Sequence, residues 1–434
     1  MCGFLISNKK NKTNITEAIN SMSYRGLPEH LGYQRYFDYD LAHVSLPMIK
    51  EKTIQPIKHQ GEPPTMLVGE IFNYKNFGKY ETDAEMLNSK WNNKNDFEMF
   101  HKFDGFWSFI GFHKNKPIIF TDFLGIKPVY YRLDKDVAAS EINVLKEYGS
   151  VTRNEVFHSN VLKWGYDPTG GTPWNEIKQL KPGHFLYERN EIPYWNWFKV
   201  PVTDLYNDLN LSVQYRASGF RKVALLLSGG LDSTIIYSLL KENGCDVTTI
   251  HVENDESRYA QLVDDDYIKV ELDNVGLSES IAIHQTPVDL GSVKPQIAMA
   301  RKLKELGFHN VITGDGADEL FGGYSRSASY DSQYSDVFIE LPYYHLPKLD
   351  RTMMRYTIEL RAPFLSPSVI AHALHLPYNQ RNGEKKVLKR LFGGLVPDPI
   401  LNRDKHALKS NDVRYSPIEQ RDVNETIWWE LNGR

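Results

Sequence analysis

The sequence predicts two consecutive domains of different architecture, a mainly antiparallel β domain with some helix followed by a parallel α/β domain. Three observations carry that prediction. The chain has 434 residues, which at roughly 100 to 200 per domain leaves room for two to four cores. Up to about residue 190, short apolar runs alternate with turn signals such as Asp104-Gly105, Gly170-Gly171 and Lys181-Pro182-Gly183, the punctuation of an antiparallel sheet. Beyond about residue 205 the order becomes apolar strand, glycine turn and long helix, which is how a parallel sheet is assembled. The boundary falls at residues 190 to 205, so the expected domains are 1–195 and 205–434.

Taken in order, the first domain offers strands at Met66-Leu67-Val68, Trp107 to Phe112, Ile118-Ile119-Phe120, Pro128 to Tyr131 and His184 to Tyr187. The second opens with a helix start near Thr203 or Asp204, residue types that cap helix N-termini. Val223 to Leu227 then reads as a buried strand, and Leu231 to Asn243 as a helix with Ile235, Ile236, Leu239 and Leu240 on one face. Val247 to Val252 and Val311-Ile312 read as further strands. No repeat of solenoid length and no low-complexity segment interrupts this plan.

Composition narrows the functional classes. Lys plus Arg number 51 against 55 Asp plus Glu, for a formal charge of −4, which lacks the basic footprint of a nucleic-acid binder. No run of 18 apolar residues offers a membrane span. Cys2 and Cys245 are the two cysteines, too few for a disulfide framework, and no paired Cys-x-x-Cys spacing offers a zinc site. The start of the chain lacks a signal-peptide core. A cytoplasmic protein without nucleic-acid or membrane partners is expected, and a homodimer is left open.

Cys2 follows the initiator Met1, and a small residue at position 2 allows removal of the methionine. That would leave a thiol and a free α-amine on one residue, and an amine with a pKa of roughly 7.7 to 8.0 can accept the thiol proton near neutral pH. Alone, Cys2 reads equally well as a small buried residue. Further segments decide between the two: Ser23-Tyr24-Arg25-Gly26, Gly69-Glu70-Ile71-Phe72-Asn73-Tyr74, Thr82-Asp83-Ala84-Glu85, Phe103-Asp104-Gly105 and Asp122-Phe123-Leu124-Gly125-Ile126-Lys127-Pro128. In order and spacing these resemble the class II glutamine amidotransferase domain of the glutamine-dependent asparagine synthetases. The resemblance implies an N-terminal nucleophile fold, an αββα sandwich, in which Cys2 attacks the side-chain amide of glutamine. It also implies that Arg25 grips the α-carboxylate, that Glu70 and Asp83 hold the α-ammonium side, and that the Gly69 N–H faces the oxyanion. Two departures stand out. Val68 occupies the place where the family has an Asn side-chain donor, a loss typically worth about 10²- to 10³-fold in rate. Arg25-Gly26-Leu27-Pro28-Glu29 stands where the family has Arg-Gly-Pro-Asp.

In the second domain, Leu227-Ser228-Gly229-Gly230-Leu231-Asp232-Ser233 runs a strand into a glycine-rich turn that opens a helix. Such a turn presents backbone N–H groups, hydroxyls and a positive dipole end to phosphate oxygens. No Gly-Lys-Ser/Thr follows, so it is not a Walker A loop; it is similar to the SGGxDS loop of PP-loop ATP pyrophosphatases. The run Thr313-Gly314-Asp315-Gly316-Ala317-Asp318-Glu319-Leu320-Phe321-Gly322-Gly323-Tyr324 places carboxylates beside a phosphate site, a placement that Mg²⁺ resolves. It resembles the second signature of asparagine synthetases. His345 to Arg351, Glu359-Leu360-Arg361-Ala362-Pro363-Phe364-Leu365, Lys385-Lys386-Val387-Leu388-Lys389 and Asn402-Arg403-Asp404-Lys405 resemble later segments of the family.

By that resemblance Leu227, Ser228, Gly229, Gly230, Asp232, Ser233, Val252 and Gly314 hold ATP, and Asp232 and Asp318 hold Mg²⁺. Asp315 stands at the catalytic Glu, one methylene shorter, and Lys385 and Lys405 neutralise the departing pyrophosphate and the adenylate. Cys245 reads as structural. The whole implies a glutamine-hydrolysing asparagine synthetase with ATP and Mg²⁺, amidating aspartate. The chain is compressed between Asp255 and Val270 and between Tyr324 and Tyr356, so amidation of a different carboxylate stays open, as do a PP-loop nucleobase- or tRNA-modifying enzyme and a non-catalytic binding homologue.

Overall fold

The protein is seen in a computed structural model that describes residues 2–46, 48, 54–94, 97–220, 222–272, 275–287, 293–324, 330–381, 384–403 and 417–432. Sixteen strands run in chain order among these residues. They are β1 (Cys2–Asn8), β2 (Leu31–Tyr36), β3 (Tyr39–Ser45), β4 (Met66–Ile71), β5 (Gly105–His113), β6 (Lys116–Thr121), β7 (Tyr130–Arg132), β8 (Val137–Ala139), β9 (Lys178–Gln179), β10 (His184–Tyr187), β11 (Asn190–Pro193), β12 (Lys222–Leu226), β13 (Asp246–Val252), β14 (Ile268–Val270), β15 (Asn310–Ile312) and β16 (Glu359–Arg361).

The first eleven form two antiparallel sheets, ordered β2-β3-β1-β8-β7-β9 and β11-β10-β6-β5-β4. Alternation along β1 and β4 turns Cys2, Phe4, Ile6, Met66 and Val68 inward, where they meet Ile110, Ile119 and Val129 in one buried cluster between the sheets. The other face of the second sheet carries Trp107, Phe109 and Phe120, which pack against Trp91 of helix Asp83–Lys94 and Phe100 of the turn Phe97–Lys102. These rings pack edge-on and tilted, with centroids 4.5 Å apart for Phe100 and Phe120 and 5.4 Å for Trp91 and Phe109, the spacing aromatic quadrupoles favour. The hairpin β2–β3 and the first strand β1 have no counterpart among the strands expected from sequence. The strand expected from Pro128 begins at Tyr130, since proline has no N–H to give the ladder.

The last five strands form a parallel sheet ordered β14-β13-β12-β15-β16. Chain order reverses between β12 and β15, and the crevice at the carboxyl ends of such a pair is where open α/β sheets bind ligands. Helix Leu205–Ala217 begins where the capping residues placed it, with Asp204 accepting the Asn207 N–H at 3.0 Å. Helix Leu231–Glu242 buries Ile235, Ile236, Leu239 and Leu240 against the sheet. Among the described residues no helix is long and apolar enough to cross a membrane.

The two parts meet over buried charge. Arg25 donates from Nε to Glu141 Oε1 at 2.7 Å and from Nη2 to Asp350 Oδ2 at 2.8 Å, while Lys127 Nζ donates to Asp350 Oδ1 at 2.8 Å. All four side chains are at most 3% exposed. Arg216 adds a bidentate pair with Asp104 across the same seam, at 2.9 and 3.3 Å. Buried ion pairs of this kind tolerate only one relative placement of their carriers, because separating them strands charge in a medium that cannot solvate it.

Candidate active sites

β1 lies third in the first sheet and puts Cys2 opposite Ser45 on β3, with the thiol only 6% exposed. β4 forms the edge of the facing sheet and brings Val68 and Gly69 to the same end. Gly69 has φ +93°, and a Cβ there would lie 1.9 Å from the Phe106 carbonyl oxygen, so no other residue fits this turn of the backbone. Burial pushes the Cys2 thiol up, but the amino-terminal charge and His43 outweigh it, and with a hydrogen bond from the Leu46 N–H they bring the thiol down to about 6.

Glu70 and Asp83 both lie at this end, although each is already engaged. Asp83 accepts the Ile71 N–H at 2.9 Å and the Ala84 N–H at 2.8 Å at the start of its helix, and burial raises its carboxyl to about 6. Glu70 accepts a hydrogen bond from Arg361 of β16, and it lies in hydrogen-bond contact with Glu359, which is itself fully buried. Burial raises Glu70 to about 8. Burial opposes ionisation of Glu359 as well, yet the amino-terminal charge, Arg361 and Lys127 hold it below the usual carboxylate range.

Arg25 differs from expectation. Its guanidinium is fully buried, and its Nε and Nη groups are taken up by Glu141 and Asp350. In this arrangement it ties the domains together and is not presented to a glutamine carboxylate. Sequence reading also missed His43, which bridges β3 to the β4 edge, and the reach of Glu359 and Arg361 into the Cys2 end. His43 is one histidine in an apolar strand, which carries no chemical signal. Glu359 and Arg361 were legible as a motif, but nothing local showed which site they serve.

The second site sits at the β12/β15 switch point. The Ser228 N–H donates to Ser233 Oγ at 3.2 Å, the two hydroxyls lie 2.9 Å apart, and the Gly230 N–H donates to Ser228 Oγ at 3.2 Å, which shapes residues 227–230 into a cradle at the N-terminus of helix Leu231–Glu242. Leu227 is held by its N–H to Ile250 at 2.9 Å, Gly229 takes φ +69°, and Val252 is buried at the end of β13. Gly314 brings the second loop onto the first: a Cβ there would meet the Asp232 Cβ at 2.9 Å and the Ser233 nitrogen at 3.0 Å.

Lys385 projects between the two acidic residues, with Nζ 2.5 Å from Asp232 Oδ2 and in an ion pair with Asp318. Burial lowers the ammonium pKa, and the two carboxylates overcome this and raise it. Asp315 is raised by burial and by Glu319 and Asp318 nearby. Lys405 lies outside the described residues. Arg403 donates from Nη1 to the Gly229 carbonyl at 3.3 Å, pairs with Glu256 at 3.1 Å and lies 4.3 Å over the Tyr259 ring, so Arg403 itself reaches the phosphate loop.

The donor set fits Mg²⁺ in the manner that ion prefers. Asp232 and Asp318 already converge on one cationic atom, Lys385 Nζ, and among the described residues no cluster of three or more His, Cys, Asp or Glu could hold a metal alone. Two carboxylates completed by phosphate oxygens is the usual magnesium arrangement.

The sequence pattern of the family described as "Asparagine synthase" matches residues 204–338 and 325–432, and that described as "Glutamine amidotransferase domain" matches residues 1–197. Proteins named asparagine synthetase [glutamine-hydrolyzing] share 22% identity in Sandersonia aurantiaca, over 96% of this chain and 88% of that one. An asparagine synthetase [glutamine-hydrolyzing] 3 of Arabidopsis thaliana shares 25%, over 98% and 82%. Asparagine synthetase B [glutamine-hydrolyzing] of Escherichia coli K12 shares 24%, over 92% and 79%. A solved structure titled as the allosteric regulatory enzyme of purine biosynthesis overlaps 57% of this chain and 64% of its own, at 12% identity and a TM-score of 0.34, a likeness too slight to argue from.

Proposed function

The chain belongs to the asparagine synthase family, and from that premise we infer that it makes asparagine from aspartate, ATP and glutamine, with each of its two sites performing one half-reaction. The N-terminal part is read as an αββα N-terminal nucleophile domain. Cys2 attacks the side-chain amide carbon of glutamine, the Gly69 N–H stabilises the oxyanion, ammonia leaves, and water releases glutamate from the thioester. Glu70 and Asp83 receive the α-ammonium end of the substrate.

At the second site, Ser228, Gly229, Gly230 and Ser233 cradle the ATP phosphates, and the aspartate carboxylate attacks the α-phosphorus to give an acyl-adenylate and pyrophosphate. Asp232 and Asp318 would hold Mg²⁺, which neutralises charge on the phosphoryl oxygens. Lys385 then exchanges the two carboxylates for the departing pyrophosphate, supplying the positive charge that phosphoryl transfer needs. Ammonia crosses the seam between the parts and displaces AMP from the adenylate.

The observation that supports this reading most directly is the convergence of Asp232, Asp318 and Lys385 on the serine-glycine loop. The test is incubation with ATP, Mg²⁺, amide-¹⁵N glutamine and aspartate, followed by mass spectrometry. Labelled asparagine with AMP and pyrophosphate is expected. Stoichiometric ADP would overturn the phosphate-loop reading. Label in another amide when a metabolite extract replaces aspartate would reassign the acceptor.

A further inference from the structure

A phosphate-binding turn has to keep its own carbonyl oxygens off the ligand, because each carries partial negative charge that repels phosphate. The loop between β12 and helix Leu231–Glu242 meets this demand with donors from outside itself. The Gly230 carbonyl accepts the Thr234 hydroxyl at 2.7 Å. The Gly229 carbonyl accepts Arg403 Nη1 at 3.3 Å. The Leu227 carbonyl, at the entry to the loop, lies 2.7 Å from His251 Nδ1 on β13. Leu227 is thus tied to β13 twice, since its N–H also donates to the Ile250 carbonyl at 2.9 Å.

His251 is buried, and its hydrogen-bond roles are fixed by its partners. A carbonyl only accepts, so Nδ1 carries the hydrogen. In the neutral ring Nε2 is then an acceptor, and it takes the Ser257 hydroxyl at 2.9 Å. Ser257 Oγ in turn accepts the Asn254 N–H at 3.0 Å. Burial lowers the imidazole pKa against pulls from the Leu227 carbonyl and Glu253, which agrees with a neutral ring. Through Ser257 the ring also fixes the start of helix Ser257–Gln261, and that helix lies directly on the glycine turn: a Cβ at Gly229 would come within 2.6 Å of the Ala260 nitrogen and 3.1 Å of the Tyr259 Cβ. The Tyr267 ring packs edge-on against the imidazole, with centroids 5.1 Å apart.

We propose that His251 is a positioning residue of the ATP site: one imidazole fixes the Leu227 carbonyl and helix Ser257–Gln261 together, and so holds the cradle of residues 227–230 in the shape that receives the triphosphate. The proposal rests on the reading of the second site as an ATP site. His251 transfers no proton; it acts through Leu227 and Ser257. Losing the Nδ1 donor leaves a buried carbonyl without its partner and free to turn toward the phosphates, and both effects weaken nucleotide binding. Arg403 does for Gly229 what His251 does for Leu227, and its guanidinium pairs at 3.1 Å with Glu256, the residue before Ser257. The two clamps on the loop therefore meet in one short segment, residues 256–257.

The test is pyrophosphate release by the full chain, with ammonia as nitrogen source so that the N-terminal site is bypassed, measured against ATP and separately against aspartate. His251→Leu removes both ring nitrogens and keeps an apolar side chain. Its KM for ATP should rise roughly tenfold, the loss expected of one buried hydrogen bond, while KM for aspartate stays within about twofold. His251→Asn places an amide N–H as many bonds from the backbone as Nδ1 and should return KM for ATP to within about threefold of wild type. Ser257→Ala should raise it by about two- to threefold. If His251→Leu does not fold, calorimetric binding of ATP with Mg²⁺ to Ser257→Ala decides the matter, and an unchanged affinity there overturns the proposal. With folded variants, an unchanged KM for ATP in His251→Leu overturns it. So does an equal loss in His251→Leu and His251→Asn, or a parallel rise in both KM values, since either marks His251 as packing alone. A wild type that neither binds ATP with Mg²⁺ nor releases pyrophosphate removes the ATP reading itself, and the positioning role with it.

Discussion

Val68→Asn sets a predicted gain of rate against a predicted loss of stability, and the structure sizes both. Val68 is 1% exposed in the cluster that holds Cys2, Phe4, Met66 and Ile110. Replacing it removes about 1.5 to 2 kcal/mol of apolar burial, and placing an amide there costs about 1 to 3 kcal/mol if it finds no partner. A partner is at hand: Ser108 stands directly opposite on β5, is fully buried, and its Oγ makes no hydrogen bond among the described residues. One hydrogen bond to it returns about 1 kcal/mol, which leaves a net loss of about 1.5 to 4 kcal/mol. A domain with roughly 5 to 15 kcal/mol to lose stays folded. In return, a side-chain donor beside the Gly69 N–H should raise glutamine turnover by about 10²- to 10³-fold. Glutamate release with and without ATP and aspartate measures the rate, and urea unfolding measures the stability. A wild type that already hydrolyses glutamine briskly, with Val68→Asn no faster, would show that another donor completes the oxyanion hole.

Cys2→Ala should abolish glutamine-dependent synthesis and leave ammonia-dependent synthesis intact, measured as asparagine formed with each nitrogen source. Asp318→Asn should remove pyrophosphate release by breaking the acidic pair that Lys385 now bridges, and undiminished release would exclude Asp318 from the site. Arg25→Met leaves Glu141 and Asp350 buried short of a partner and should cost about 3 to 5 kcal/mol in urea unfolding; a loss under about 1 kcal/mol would mean the seam is held by other contacts. Asp83 has a folded-state value raised to about 6 against about 3.9 unfolded. Its stabilising contribution is therefore complete below about pH 4 and lost as pH rises through 6. Asp83→Asn should flatten the pH dependence of the melting temperature across that window, and an unaltered dependence would refute the shift.

The chemistry of both sites was legible because it is local in sequence. A phosphate cradle needs its glycines, hydroxyls and carboxylate on consecutive residues between a strand and a helix, so Ser228 to Ser233 declared itself, as did the strand and helix on either side. The switch in pattern near residue 200 was legible for the same reason, since side-chain period follows directly from backbone geometry. Tertiary structure alone decided what each charged residue spends its charge on. Arg25 reads as a glutamine ligand in its motif, yet its guanidinium meets Glu141 and Asp350, the latter 325 positions away. Arg361 belongs by sequence to the synthetase half and ends on Glu70 of the other half, 291 positions distant. His43 finds its partners only when two sheets face each other and set Leu67 of β4 and Ser45 of β3 on either side of one ring. A buried charge or imidazole is defined by the partners that desolvation obliges it to find, and those partners are set by packing between elements that no local pattern encodes.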